Sequence, residues 1–105
     1  MFLSNSNSRS YTSAAQFISN GSGAALLIVK NLDGSTTNLI FDVHKYLDSD
    51  NSGTNAECTT NNVQVFQTLA TWLRQNSRMA LLSETGGGNT ASCETNLCQE
   101  IATLK

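Results

Sequence analysis

Apolar positions follow two different periods along this chain. Over Leu39-Ile40-Phe41-Asp42-Val43-His44-Lys45-Tyr46 the period is two, which predicts a strand. Phe41, Val43 and Lys45 fall on one face, and Asp42, His44 and Tyr46 on the other. Val63, Phe66, Leu69, Ala70 and Leu73 recur at helical spacing, so a helix is predicted over 62–77. Trp72 borders that stripe and reads as core. The run Met79-Ala80-Leu81-Leu82-Ser83-Glu84 is continuously apolar until its last two residues, the pattern of a strand covered on both faces in a parallel sheet. Ser92 is placed to cap a final helix, with Glu94 in its first turn and Leu97, Ile101 and Leu104 as its apolar positions. Residues 48–61 and 85–92 read as loops.

The N-terminal third is less regular. Residues 1–12 are Ser/Asn-rich and read as irregular, while 13–30 read as two short helical pieces broken at Asn20-Gly21-Ser22-Gly23. Asn31-Leu32-Asp33-Gly34-Ser35 reads as a turn. The order helix, strand, helix, strand, helix, with about 30 residues of crossover, fits an α/β fold with a right-handed βαβ unit. Two parallel strands leave an unpaired edge on each side, so the expectation is a fragment of a larger sheet.

Composition narrows the function. The 105 residues suffice for one small domain. Only 13% are charged, against about 25% in ordinary domains, and Ser, Thr, Asn and Gly fill the difference. This polar, weakly charged surface suits a secreted protein. Net charge is −2 and the basic residues are scattered, which argues against a nucleic-acid partner. No apolar run approaches the ~20 residues that span a bilayer, and the N-terminus lacks a signal-peptide core. Asn20-Gly21-Ser22 is an acceptor for N-glycosylation in a secreted chain.

Several patterns bear on chemistry. Asp48-Ser49-Asp50-Asn51-Ser52-Gly53 resembles the start of a calcium loop, but Thr59 stands at the twelfth position where a bidentate Glu is needed. A polar loop with Asx-type turns is the better reading. Gly86-Gly87-Gly88 lacks the Gly-Lys-Ser/Thr of a P-loop and instead lets backbone approach a ligand or a neighbouring loop. Cys58, Cys93, Cys98 and His44 contain no Cys-x-x-Cys pair, so a Cys58–Cys93 disulfide between two loops is preferred to zinc, with Cys98 left unpaired. No metal or cofactor is expected. Glu84 ends its strand before the glycines, and a Tyr46 hydroxyl could cross the ~4.8 Å to a neighbouring parallel strand and bind it. That bond favours an ionised carboxylate, a base or nucleophile. The plainer alternative is a strand that stops at a charged residue before a flexible turn.

Phe41-Asp42-Val43-His44-Lys45-Tyr46-Leu47-Asp48-Ser49-Asp50-Asn51-Ser52-Gly53-Thr54, Glu57-Cys58-Thr59-Thr60-Asn61-Asn62, Leu69-Ala70-Thr71-Trp72-Leu73-Arg74-Gln75-Asn76 and Glu84-Thr85-Gly86-Gly87-Gly88-Asn89 together resemble the fungal cellulases of glycoside hydrolase family 5. The resemblance covers residues 11–105 as a partial catalytic domain, and 1–10 do not match. It implies a fragment of a (β/α)8 TIM barrel around units six and seven. It also implies retaining hydrolysis of β-1,4-glucan, with Glu84 as nucleophile and His44 and Tyr46 supporting it. Cys58 and Cys93 match a disulfide pair, and Cys98 matches a cysteine whose partner lies downstream. Asn55 stands where the fungal relatives carry His.

The resemblance also defines what is missing. A retaining site needs two carboxyl groups roughly 5–5.5 Å apart. The family's acid/base Glu follows an Asn, and this chain has no Asn-Glu pair. Asp42 lies deep in its strand, Asp48 and Asp50 lie in a loop, and Glu57 precedes Cys58, so none substitutes well. The sugar-stacking Trp of the last strand is also absent. The expectation is a secreted, monomeric parent enzyme acting on β-1,4-glucan, and an isolated chain that is inactive. The alternatives are a non-catalytic carbohydrate-binding remnant, or a related β-mannanase or xyloglucanase.

Overall fold

The computed structural model describes residues 2–4, 18 and 21–105. Three parallel strands form one sheet in the order β1 (Phe2–Ser4), β2 (Ile40–His44), β3 (Met79–Glu84). The helices are α1 (Ser22–Leu27), α2 (Val63–Gln75) and α3 (Ala91–Thr103). β2 and β3 are the expected parallel pair, but β3 is not covered on both faces: Met79 and Leu81 are exposed, because helix α2 packs only on the Leu82 side. β1 corrects the irregular reading of 1–12: Phe2, Leu3 and Ser4 pair with Ile40, Phe41 and Asp42. Three residues are too short for a period to register, and the strand exists through its neighbour's hydrogen bonds. Of the two helical pieces expected in 13–30, the second is α1; the first, apart from Ile18, and Asn20 lie outside the described residues.

α2 covers one face of the sheet. Its Phe66 and Leu69 are buried and pack with Val43 of β2, Leu82 of β3, and Val65, Trp72 and Leu73. Each such buried side chain contributes about 1.5–3 kcal/mol, an upper estimate. Trp72 is part of this core, with its ring 5.8 Å from that of Phe41. The Arg78 guanidinium lies over the other ring, 4.6 Å from the Phe41 centroid.

The opposite end of the helix layer is held by loops. Leu47, Cys58 and Cys93 form a second buried cluster with Leu97 against it. Cys58 and Cys93 are joined by a disulfide across 35 residues of sequence, which ties the loop after β2 to the first turn of α3. Cys98 is free and exposed.

Two expectations about α3 are corrected. Its cap is Thr90, whose extended backbone lets Oγ1 accept from the Cys93 N–H at 3.3 Å. Ser92 lies inside the first turn, where its hydroxyl accepts from the Cys58 N–H at 3.1 Å and donates to Glu57 at 2.5 Å. Of the apolar positions Leu97, Ile101 and Leu104, only Leu97 packs inward: Ile101 and Leu104 are exposed, while Cys93 is buried and Glu100 fully buried. The disulfide turns the Cys93 side of the helix inward, and residues three, four and seven positions on follow it. This places a carboxylate, Glu100, in the interior at 0% exposure.

Candidate active site

The end of β2 and the end of β3 meet through a bulge. Ile40 to Val43 pair in step with Met79 to Leu82, and then His44 pairs with Glu84, leaving Ser83 as the extra residue. Strict alternation would put Glu84 on the face of Leu82, which packs against α2. The bulge returns Glu84 to the face of Asp42 and His44. Pairing continues past the regular strands, as the Lys45 N–H donates to the Glu84 carbonyl at 2.9 Å.

The three residues singled out in the sequence converge there. The Tyr46 hydroxyl donates to Glu84 Oε2 at 2.9 Å, and His44 Nδ1 lies 3.4 Å from the same oxygen. Oε1 of Glu84 accepts no hydrogen bond among the described residues. The Glu84 carboxylate draws on the Tyr46 hydrogen, so the phenol's pKa is raised above its usual value and it remains a donor. The far side of the imidazole meets Asp42, with Nε2 3.2 Å from Oδ2. Asp42 also accepts from the Ser83 hydroxyl. Its place in the strand therefore does not bury it away from the site. Both ring nitrogens of His44 face carboxylate oxygens, so a neutral ring can donate to only one of them.

Tyr46 lies two residues past the end of regular β2 and is fixed by the next loop. Asn51 Oδ1 accepts from the Tyr46 N–H and from Lys45 Nζ, both at 2.8 Å. Gly53, at φ +73°, lies under the Tyr46 ring; a Cβ there would sit 2.9 Å from ring carbons. Asp48 holds this loop from inside. Burial alone would raise its pKa. Backbone N–H groups of Asn55 and Gly53, the Asn55 amide and the Ser52 hydroxyl outweigh burial and hold it well below the usual carboxylate range. These donors occupy the oxygens a calcium ion would need. Asn55 thus serves the loop at the position where relatives were expected to carry His.

Behind Glu84 lies a buried polar group that sequence periodicity missed. Glu100 accepts from Thr85 Oγ1 at 2.5 Å and from Asn62 Nδ2 at 2.6 Å. Asn62 Nδ2 also lies 3.3 Å from the Tyr46 carbonyl. Lys45 is buried nearby; burial lowers its pKa, and the charges of Glu100 and Asp48 oppose that shift. Glu100 therefore links α3, the start of α2 and the residue after Glu84. One signal could have found it: a disulfide at Cys93 fixes the inward face of α3, and Glu100 is seven residues on.

The glycine triplet serves the neighbouring loop. A Cβ on Gly87 would lie 2.2 Å from Cys58 Sγ, and one on Gly88 would lie 2.3 Å from the Ala56 carbonyl. The loop after Glu84 thus passes directly against the disulfide and the Ala56 backbone.

The C-terminal end of a parallel strand, where Glu84 stands with support from the neighbouring strand, is where α/β barrels place their functional groups. The chain belongs to the cellulases of glycosyl hydrolase family 5, whose profile matches residues 7–105. Endoglucanase EG-II of Hypocrea jecorina is 68% identical over 95 residues, covering 90% of this chain and 23% of the relative. The manganese dependent endoglucanase Eg5A of Phanerodontia chrysosporium is 57% identical over 94 residues, covering 89% and 24%. The crystal structure of Cel5A (EG2) from Hypocrea jecorina superposes with a TM-score of 0.85 at 67% identity, over 91% of this chain and 30% of that one. XacCel5A in complex with cellopentaose gives 0.75 at 31% identity, over 90% and 31%. β2, β3 and the helices α2 and α3 are part of the TIM barrel these enzymes share. The chain spans about a quarter of the length of the curated relatives it matches.

Proposed function

We propose that these residues form the nucleophile half of a retaining endo-β-1,4-glucanase site, with Glu84 as nucleophile and Tyr46 and His44 as its supports. The carrying observation is the Tyr46 hydroxyl on Glu84 Oε2 at 2.9 Å with His44 Nδ1 beside it, at the end of β3. One carboxylate oxygen is held, and Oε1 is left to attack the anomeric carbon.

In the first step Oε1 bonds to that carbon while the glycosidic oxygen leaves and takes a proton from an acid. In the second, water attacks the same carbon, a base takes the water's proton, and Glu84 departs as carboxylate. The acid/base group is a second carboxyl that this chain does not supply. Tyr46 keeps its hydrogen and stabilises the carboxylate both before attack and on departure. The substrate is β-1,4-glucan, as the cellopentaose bound to one solved relative supports. The parent enzyme is a secreted monomer, and residues 11–105 are its partial catalytic domain.

Two assays test the reading. The 105-residue chain alone should not release reducing sugar from carboxymethyl-cellulose. A complete barrel carrying these residues should do so, and should lose activity by about 10⁴-fold or more on Glu84→Gln. A complete barrel that retains its rate after Glu84→Gln rules the assignment out. Oligosaccharide binding without hydrolysis by that barrel would favour a carbohydrate-binding remnant instead.

A further inference from the structure

We infer that Asp42, oriented by the Ser83 hydroxyl, is a positioning residue that sets which nitrogen of His44 carries hydrogen and so how the ring presents itself to Glu84. This deepens the proposed site and rests on that reading for its catalytic meaning. Its structural content stands separately.

Three contacts define the device. Ser83 Oγ donates to Asp42 Oδ1, the other oxygen, Oδ2, lies 3.2 Å from His44 Nε2, and His44 Nδ1 lies 3.4 Å from Glu84 Oε2. Asp42 and Glu84 are both carboxylates that only accept, and the neutral ring has one hydrogen; the hydrogen-bonded 3.2 Å contact to Asp42 takes it at Nε2, ahead of the 3.4 Å approach of Nδ1 to Glu84. That bond fixes the ring plane and turns Nδ1 toward Glu84, because the partner of one ring nitrogen determines the state of the other. Asp42 is well shielded at 16% side-chain exposure, against 34% for His44, so solvent competes little for its oxygens. Ser83 is available to orient Asp42 because it is the bulge residue. The same irregularity that returns Glu84 to this face also places the Ser83 hydroxyl on the Asp42 oxygen that His44 does not use.

The chain has one histidine, so imidazole nitrogen NMR of the full chain reads His44 without ambiguity. With the ring neutral, the parent chain should carry hydrogen on Nε2. In Asp42→Asn, Ser83 donates to the amide oxygen and leaves the NH₂ facing Nε2. The ring must then accept there, and the hydrogen moves to Nδ1. In Ser83→Ala, Asp42 remains a carboxylate that only accepts, so Nε2–H should persist. Reversal in Asp42→Asn with retention in Ser83→Ala supports the inference. An Asp42→Asn ring that keeps hydrogen on Nε2, or a Ser83→Ala ring that loses it, overturns it. Neither outcome depends on hydrolysis, so a failure here is distinct from a failure of the glucanase reading.

Discussion

Tyr46 and Glu84 are 38 residues apart in sequence, yet the hydroxyl of one donates to the carboxylate of the other at 2.9 Å. The contact exists because a bulge turns Glu84 to the site face, and because Asn51 and Gly53 hold Tyr46 just past the end of β2. Removing the donor tests its value. A hydrogen bond to a charged group is worth about 1.5–3 kcal/mol, so Tyr46→Phe in a complete barrel should lower kcat/KM by roughly 10- to 100-fold. Steady-state kinetics on soluble cello-oligosaccharides measure this.

The same bond has a pH signature. The folded-state pKa of Tyr46 is raised by Glu84, so the associated stability is complete below the ordinary tyrosine value of about 10. It is lost as pH rises through the higher folded value. Ultraviolet titration should show one tyrosine ionising late, and Glu84→Gln should bring it back toward the ordinary range.

The glycine triplet should be intolerant for reasons of space. Gly87→Ala forces a Cβ into the disulfide sulfurs, and Gly88→Ala forces one into the Ala56 carbonyl. Each should cost about 1–3 kcal/mol or more. Gly34→Ala meets no atom within 4 Å and bears only the strain of φ +80°, about 1 kcal/mol. Urea unfolding of the three variants should separate the first two from the third.

Glu100 and Lys45 should be coupled. Both are buried and their charges favour each other. Replacing one leaves the other charge without its balance, so Glu100→Leu should cost about 3–5 kcal/mol. Glu100→Leu with Lys45→Met should cost less than the sum of the two single changes. A double-mutant cycle by denaturant unfolding reads the difference.

The parallel pair, the central helix and the three site residues were legible because each writes a period or a terminus into the sequence. Glu84 closes an apolar run, and His44 and Tyr46 alternate on one face of a strand. The bulge at Ser83 was not legible, since a period of two cannot announce its own interruption. Glu100 was hidden because apolar periodicity cannot mark a buried stripe that contains a carboxylate, here satisfied by Asn62 and Thr85. The place of Asp42 deep in its strand hid its role, because its neighbours on the folded sheet, a hydroxyl and an imidazole, come from other positions in the sequence.

The assignment of Glu84 is tested most directly by trapping the covalent intermediate. A complete barrel carrying these residues is treated with a 2-deoxy-2-fluoro-cellobioside bearing a good leaving group, then digested and mapped by mass spectrometry. A retaining nucleophile accumulates as its glycosyl ester, so the label should lie on Glu84 and should vanish in Glu84→Gln. A label on a different carboxylate, or turnover with inversion and no label, would contradict the account.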